Sequence, residues 1–168
     1  SNQEFRSLML NMDEDFRLHV LHQVKLVMSK RQKLRPKMQR KLIVFIDKVW
    51  PKQKHIKSHR STEALLRLAF FNERVFNKIG GSILRLVGKC DSEYIHLGPL
   101  LDNNGDQLWC VIKTDPELFL RIINKVLPDT IKSLPYGLDN FIEKMMQEYP
   151  CLLKSPELAC LRSKVGVI

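Results

Sequence analysis

The sequence lacks the features that mark membrane, secreted or zinc-binding proteins. None of its apolar runs approaches the about 20 residues of a membrane-spanning helix, and no basic start with a long apolar run resembles a secretory signal. Only four cysteines occur among 168 residues, and no two form a C-x-x-C pair. We therefore expect reduced thiols, no membrane contact and no cofactor, in a nuclear or cytoplasmic protein.

Acidic residues are nearly absent from residues 25–60, which we call the basic block. The block holds thirteen Lys/Arg and one acid, Asp47, whereas residues 61–168 hold thirteen of each sign. A concentrated patch of one sign attracts nucleic acid or an acidic partner more strongly than a mixed surface does. The predicted contact set is Lys25, Lys30, Arg31, Lys33, Arg35, Lys37, Arg40, Lys41, Lys52, Lys54, Lys57 and Arg60.

The competing interpretation of the basic block is a solvated face that only keeps the protein soluble. The excess of thirteen cations over one acid argues against it. Phe45 and Trp50 are the only aromatic residues of the block, and both fall where a helix would bury them, so base stacking is not expected. Any nucleic-acid contact should therefore be to phosphates and blind to sequence. Residues 30–33, Lys-Arg-Gln-Lys, also resemble a short nuclear-import pattern.

The histidines are weak candidates for a metal site. His19 and His22 are three residues apart, and His55 and His59 are four apart, so each pair shares one face of a helix. A structural zinc ion needs four ligands, and no cysteine lies near either pair. We predict that the histidines bind no metal.

The cysteines are equally weak candidates for a catalytic site. A nucleophilic thiol needs a base and an electropositive pocket. Cys90 follows Lys89, and His96 would approach Cys110 across a predicted hairpin, but nothing in the spacing requires either pair to act together. We predict buried, inert cysteines and a protein that is not an enzyme.

Apolar periodicity predicts a mainly α protein, with seven to eight helices in a compact bundle-like domain and one small β-hairpin at about residues 94–112. The hairpin is predicted from the β-rich run at 108–112 and a turn at Asn104-Gly105. Helix starts are predicted at Ser61, at 114–117 and at 155–157. We predict that Gly80-Gly81 ends the helix from Ser61 and that Ser82 begins another.

The charge step at residue 60 predicts two parts. Residues 1–60 form a basic N-terminal helical hairpin, whose apolar stripes must be buried against another surface. Residues 61–168 form a charge-neutral helical domain that includes the β-hairpin. The sequence leaves open whether the first part packs on the second.

The leading hypothesis is a non-enzymatic helical interaction or scaffold domain of a larger nuclear protein. The chain begins Ser1-Asn2 without Met, which suggests a fragment. The body would bind a partner protein, and the basic block would contact a nucleic acid backbone or an acidic segment. The alternative is a DNA- or RNA-binding domain without sequence specificity that acts through the basic block.

Overall fold

The computed structural model describes residues 59–89, 105–129 and 138–165, together with positions 3–4, 18–20, 22–24, 26 and 41. The elements found in these residues are all helices, which confirms a mainly α protein. In chain order they are α1 (His59–Ala69), α2 (Glu73–Leu86), α3 (Gly105–Thr114), α4 (Pro116–Val126), α5 (Leu138–Glu148), a 3₁₀ helix (Pro150–Lys154) and α6 (Pro156–Val165).

The predicted β-hairpin is wrong where the structure describes it. Residues 108–112 lie within α3. Leu108, Val111 and Ile112 are buried there while Cys110 is exposed, which follows the period of a helix. An apolar run of five residues fits a buried strand or a buried helix equally well, so periodicity alone did not decide. The rest of the predicted hairpin, residues 94–104, lies outside the described residues.

The prediction of one helix from Ser61 to Gly80-Gly81, followed by another from Ser82, is also wrong. The helix that begins at His59 ends at Ala69, and α2 begins after Asn72. The Asn72 side chain accepts a hydrogen bond from the Val75 N–H at 3.0 Å, so Asn72 caps the N-terminus of α2. An asparagine cap within an apolar stretch therefore separates α1 from α2.

Gly80 lies inside α2, and it serves packing instead of ending the helix. A Cβ atom at Gly80 would lie 3.0 Å from Leu118 Cδ2 and 3.3 Å from a Phe76 ring carbon. The glycine thus allows α2 and α4 to approach closely. At the neighbouring Gly81 a Cβ atom would meet nothing within 4 Å, so that position faces open space.

The core lies around α4, which packs against α2, α3 and α6. The Phe70 ring centroid lies 5.7 Å from that of Phe76 and 5.4 Å from that of Phe119. These rings join α1, α2 and α4 in one apolar cluster. Val20 and Val24, which lie in helical backbone before the basic block, pack against the same cluster.

Two helix starts occur where the sequence predicts them. The Asp115 side chain accepts a hydrogen bond from the Leu118 N–H at 2.9 Å, with Pro116 as the first residue of α4. The Ser155 hydroxyl accepts one from the Leu158 N–H at 3.1 Å at the start of α6. Each start combines a capping side chain with a proline at the first helical position, where the missing N–H costs nothing.

Lysines from neighbouring helices cover the carbonyl ends of α2 and α4. Lys125 donates to the Leu84 carbonyl at 2.6 Å. Lys164, which is only 9% exposed, donates to the Asn124 carbonyl at 2.6 Å and to the Leu127 carbonyl at 3.0 Å. These contacts fix the ends of α2, α4 and α6 relative to one another. In the described part of the chain, every helix is too short or too polar to cross a bilayer.

Candidate interaction surface

Two members of the predicted contact set lie within the described residues. Lys41 has helical backbone and an exposed side chain, and Arg60 is exposed in the first turn of α1. A cation in the first turn gains nothing from the helix dipole, so Arg60 is not placed there for stability. The remaining members lie outside the described residues: Lys25, Lys30, Arg31, Lys33, Arg35, Lys37, Arg40, Lys52, Lys54 and Lys57.

The described histidines lie on the surface. His19 and His22 are exposed on helical backbone, and His59 is exposed at the start of α1. Over the described ranges, no three His, Cys, Asp or Glu side chains come together in a way that would hold a metal ion. His55 and His96 lie outside the described residues.

The prediction of buried cysteines is wrong at all three cysteines that the structure describes. Cys110, Cys151 and Cys160 are free thiols with exposed side chains. A strand next to Trp109 would have buried this thiol, whereas the helical turn of α3 directs Cys110 away from the core. Cys90 lies outside the described residues.

A pair of lysines flanks the buried Trp109 between α3 and α5. The ammonium group of Lys144 lies 4.6 Å from the centre of the Trp109 ring, and that of Lys113 lies 5.9 Å away. The Phe141 ring is 6.3 Å from the same ring, and Lys113 also forms a 3.4 Å ion pair with Glu148. Trp109 is only 5% exposed, so its ring is not accessible to a ligand. We therefore attribute these contacts to the packing of α5 on α3.

An open cleft of about 480 Å³ lies between α2, α4 and α6. Its lining has both signs of charge and one thiol: Leu84, Arg121, Asn124, Lys125, Pro156, Glu157 and Cys160. The Asn124 amide donates to the Glu157 carbonyl at 2.7 Å, which holds α6 to α4 on one wall. Sequence reasoning missed this cleft because three helices contribute to it.

Asp129 and Lys89 form an exposed ion pair beyond the end of α4. The hydrogen bond from Lys89 lowers the pKa of Asp129, and the charges of Lys89 and Lys164 lower it further, although desolvation acts in the opposite direction. Lys164 lies 4.0 Å from the Asp129 carboxylate. Asp129 therefore compensates two of the cations near this end of α4.

In comparisons with known proteins, no family model, curated protein or solved structure matches the chain.

Proposed function

We propose that this chain is a non-enzymatic helical scaffold domain that binds a partner protein and contacts a polyanion through its basic block. The polyanion is a nucleic acid backbone or an acidic protein segment. The single observation that carries the proposal is the thirteen-to-one excess of cations over acids in residues 25–60. Such an excess creates a positive local potential that attracts long anionic chains. When such a chain binds, the cations of the protein replace its condensed counterions, and the release of these ions favours binding.

The helical body supports the scaffold part of the proposal. Its helices pack around one apolar cluster that also receives Val20 and Val24 from the chain before the basic block. Val24, which precedes the basic block, and Arg60, its last residue, therefore both belong to the described helical structure.

A second candidate is sequence-independent DNA or RNA binding as the main activity. The same charge excess favours it, and the Lys30–Lys33 pattern agrees with residence in the nucleus under both proposals. The two candidates differ in salt dependence. A nucleic-acid-binding domain should keep substantial affinity at physiological salt, whereas an accessory contact on a scaffold should not.

The test is a fluorescence-anisotropy titration of the full chain with duplex DNA, single-stranded RNA and an acidic peptide, at low and physiological salt. The variant Arg31→Glu/Lys33→Glu changes the charge of the basic block. The control Lys154→Glu/Arg162→Glu makes the same change at two cations of the body that form no ion pair with other described residues. We expect the first variant to weaken binding about tenfold or more at low salt and the control to weaken it about threefold or less.

The affinities measured at low and at physiological salt distinguish the two candidate functions. Nucleic-acid binding that persists at physiological salt and is lost in the Arg31/Lys33 variant favours the second candidate. Binding that is gone at physiological salt favours the scaffold, whose partner is then sought by cross-linking with the Arg31/Lys33 variant as bait. If the Arg31/Lys33 variant and its control weaken every ligand equally, both candidates are wrong.

A further inference from the structure

The outward face of α2 carries a line of cations that lies outside the basic block. Arg74, Lys78 and Arg85 are all exposed. Their spacings of four and seven residues place them on one face of the helix. At 1.5 Å of rise per residue, the line extends for roughly 16 Å along the axis of α2. We call these three residues the α2 stripe.

The charge of the α2 stripe is uncompensated within the described part of the chain. Arg85 donates to the Ser82 hydroxyl at 3.0 Å, and none of the three cations forms an ion pair there. Glu73 precedes Arg74 but lies about 100° around the helix from it. Other body cations do have acidic partners, such as Lys113 with Glu148. Several others, such as Lys154 and Arg162, form no ion pair with described residues either. What sets the stripe apart is that its three exposed cations share one face of α2, on which the helix carries no acid.

No side chain of the described residues covers the centre of the α2 stripe. Gly81 lies on the same face between Lys78 and Arg85, and a Cβ atom there would meet nothing within 4 Å. The helix backbone at Gly81 is therefore not covered by another described side chain. A partner chain can approach the helix backbone closely at this point.

The positive surface continues from the C-terminal end of α2 into the cleft between α2, α4 and α6. Leu84, next to Arg85, forms part of the cleft, and Lys125 is held there by its bond to the Leu84 carbonyl. Arg121 is exposed one turn earlier on α4. Glu157 is the acid that lines the cleft. Cations thus outnumber acids along the combined surface.

We propose that the α2 stripe and the adjoining cleft bind the phosphate backbone of a nucleic acid without reading its sequence. Along one strand of duplex DNA a phosphate recurs every roughly 3.4 Å of axis, so a stripe of roughly 16 Å extends along about five phosphates of that strand. The exposed residues of α2 include no aromatic side chain on which a base could stack. The contact is therefore to phosphates.

A protein partner fits this surface less well. Protein interfaces depend on buried aromatic or aliphatic anchors at their centre. Among the described residues, the large apolar side chain that is exposed is Leu153, and it lies on the 3₁₀ helix and not on α2. A surface with cations and no apolar anchor suits a polyanion.

This inference rests on the proposed function, in which the protein binds a polyanion. It adds a second contact surface for that polyanion, on residues outside the basic block. The test uses the full chain and a short DNA duplex, with affinity measured over a range of salt. The variant Arg74→Gln/Lys78→Gln/Arg85→Gln should lower the slope of log K against log salt by about 0.9 for each phosphate that the protein no longer neutralises. The control Lys144→Gln/Lys154→Gln/Arg162→Gln removes the same charge elsewhere and should leave the slope nearly unchanged.

A second test needs one position only. Gly81→Glu and Gly81→Lys place opposite charges at the centre of the α2 stripe, and the two residues have similar helix propensity, both better than that of glycine. Both variants should therefore fold. We expect Gly81→Glu to weaken duplex binding and Gly81→Lys to strengthen it, with a ratio of about tenfold between them at low salt.

The outcomes separate this inference from the proposed function. Loss of DNA binding in the Arg31/Lys33 variant, with the α2 variants unaffected, overturns the inference and leaves the proposed function intact. Loss in the α2 variants alone supports the inference and contradicts a contact by the basic block. If the α2 triple variant weakens the acidic peptide but not DNA, the surface belongs to a protein partner and the inference is wrong.

Discussion

Lysine has two different roles on two sides of this molecule. On the side formed by α2, α4 and α6, Lys125 and Lys164 donate hydrogen bonds to main-chain carbonyls at helix ends. On the side formed by α3 and α5, Lys113 and Lys144 lie over the ring of Trp109. Removing a lysine of the first kind leaves a polar group unsatisfied, whereas removing one of the second kind takes away an attraction to a ring that stays buried. Stability should therefore depend more on the carbonyl-bound lysines.

Pro128 explains why the Asn124 carbonyl accepts a hydrogen bond from a lysine of another helix. The Asn124 carbonyl would ordinarily accept from the N–H of residue 128, but proline has no N–H. Lys164 supplies that donor and reaches the Leu127 carbonyl as well. The proline that ends α4 thus creates the requirement that a residue of α6 meets.

Lys164→Met should have the largest effect on folding. Methionine keeps most of the buried length of the side chain but leaves two carbonyls without their donor, and we expect a loss of about 2–4 kcal/mol of unfolding free energy. Urea denaturation followed by circular dichroism measures it. Lys154→Met is the matched control, since Lys154 is exposed on the 3₁₀ helix, and it should change stability by about 0.5 kcal/mol or less. Equal, small effects of the two substitutions would remove the distinction between the two roles of lysine.

Local signals made part of this fold predictable from the sequence. The starts of α4 and α6 each carry a capping side chain, from Asp115 or Ser155, followed by proline. All the atoms that define such a start lie within one turn of the chain. Prediction from sequence therefore located both helix starts. The predicted capping box at 114–117 is not formed, because Thr114 ends α3 and Asp115 caps α4.

Contacts between distant residues made the rest unpredictable. Gly80 resembled a helix end, but its absent side chain makes room for Leu118 of α4, which sequence spacing does not reveal. The residues of α3 resembled a strand, and only packing against α2 and α4 decides that they form a helix. Tertiary packing overrides local preference at both places.

The two candidate surfaces, the basic block and the α2 stripe, also differ in whether the sequence alone reveals them. The basic block is defined by its sequence, in which its charge is concentrated, and as a contact surface it stays a prediction. The α2 stripe was missed because residues 61–168 sum to zero charge, which conceals an uneven distribution around each helix. A helical period applied to Arg74, Lys78 and Arg85 would have revealed it once the bounds of α2 were known.

Lys144→Gln should have a smaller effect than Lys164→Met. Its ammonium group lies 4.6 Å from the Trp109 ring centre, and Lys144 is exposed, so we expect a loss of about 0.5–1 kcal/mol. Urea denaturation of Lys144→Gln, Trp109→Leu and the double variant measures the coupling between the two side chains. An unchanged effect of Lys144→Gln in the Trp109→Leu background would show that the ring attraction contributes nothing.

Asp129→Asn should have the smallest effect on the free energy of unfolding. This effect should depend on pH, which distinguishes it from the effects of the other substitutions. The pKa of Asp129 in the folded protein lies below its ordinary value of 3.8, chiefly because of the hydrogen bond from Lys89. A lowered carboxyl pKa stabilises the fold above the ordinary value, and that stability is lost as the pH falls through the folded pKa. The difference in stability between the parent protein and Asp129→Asn should therefore be present at neutral pH and vanish in acid. Glu143→Gln, which removes an exposed carboxylate of α5 that has no ion pair with described residues, is the control for the loss of one negative charge. A difference for Asp129→Asn that stays constant from neutral to acid pH would mean that the charge of Asp129 does not stabilise the lysines at the end of α4.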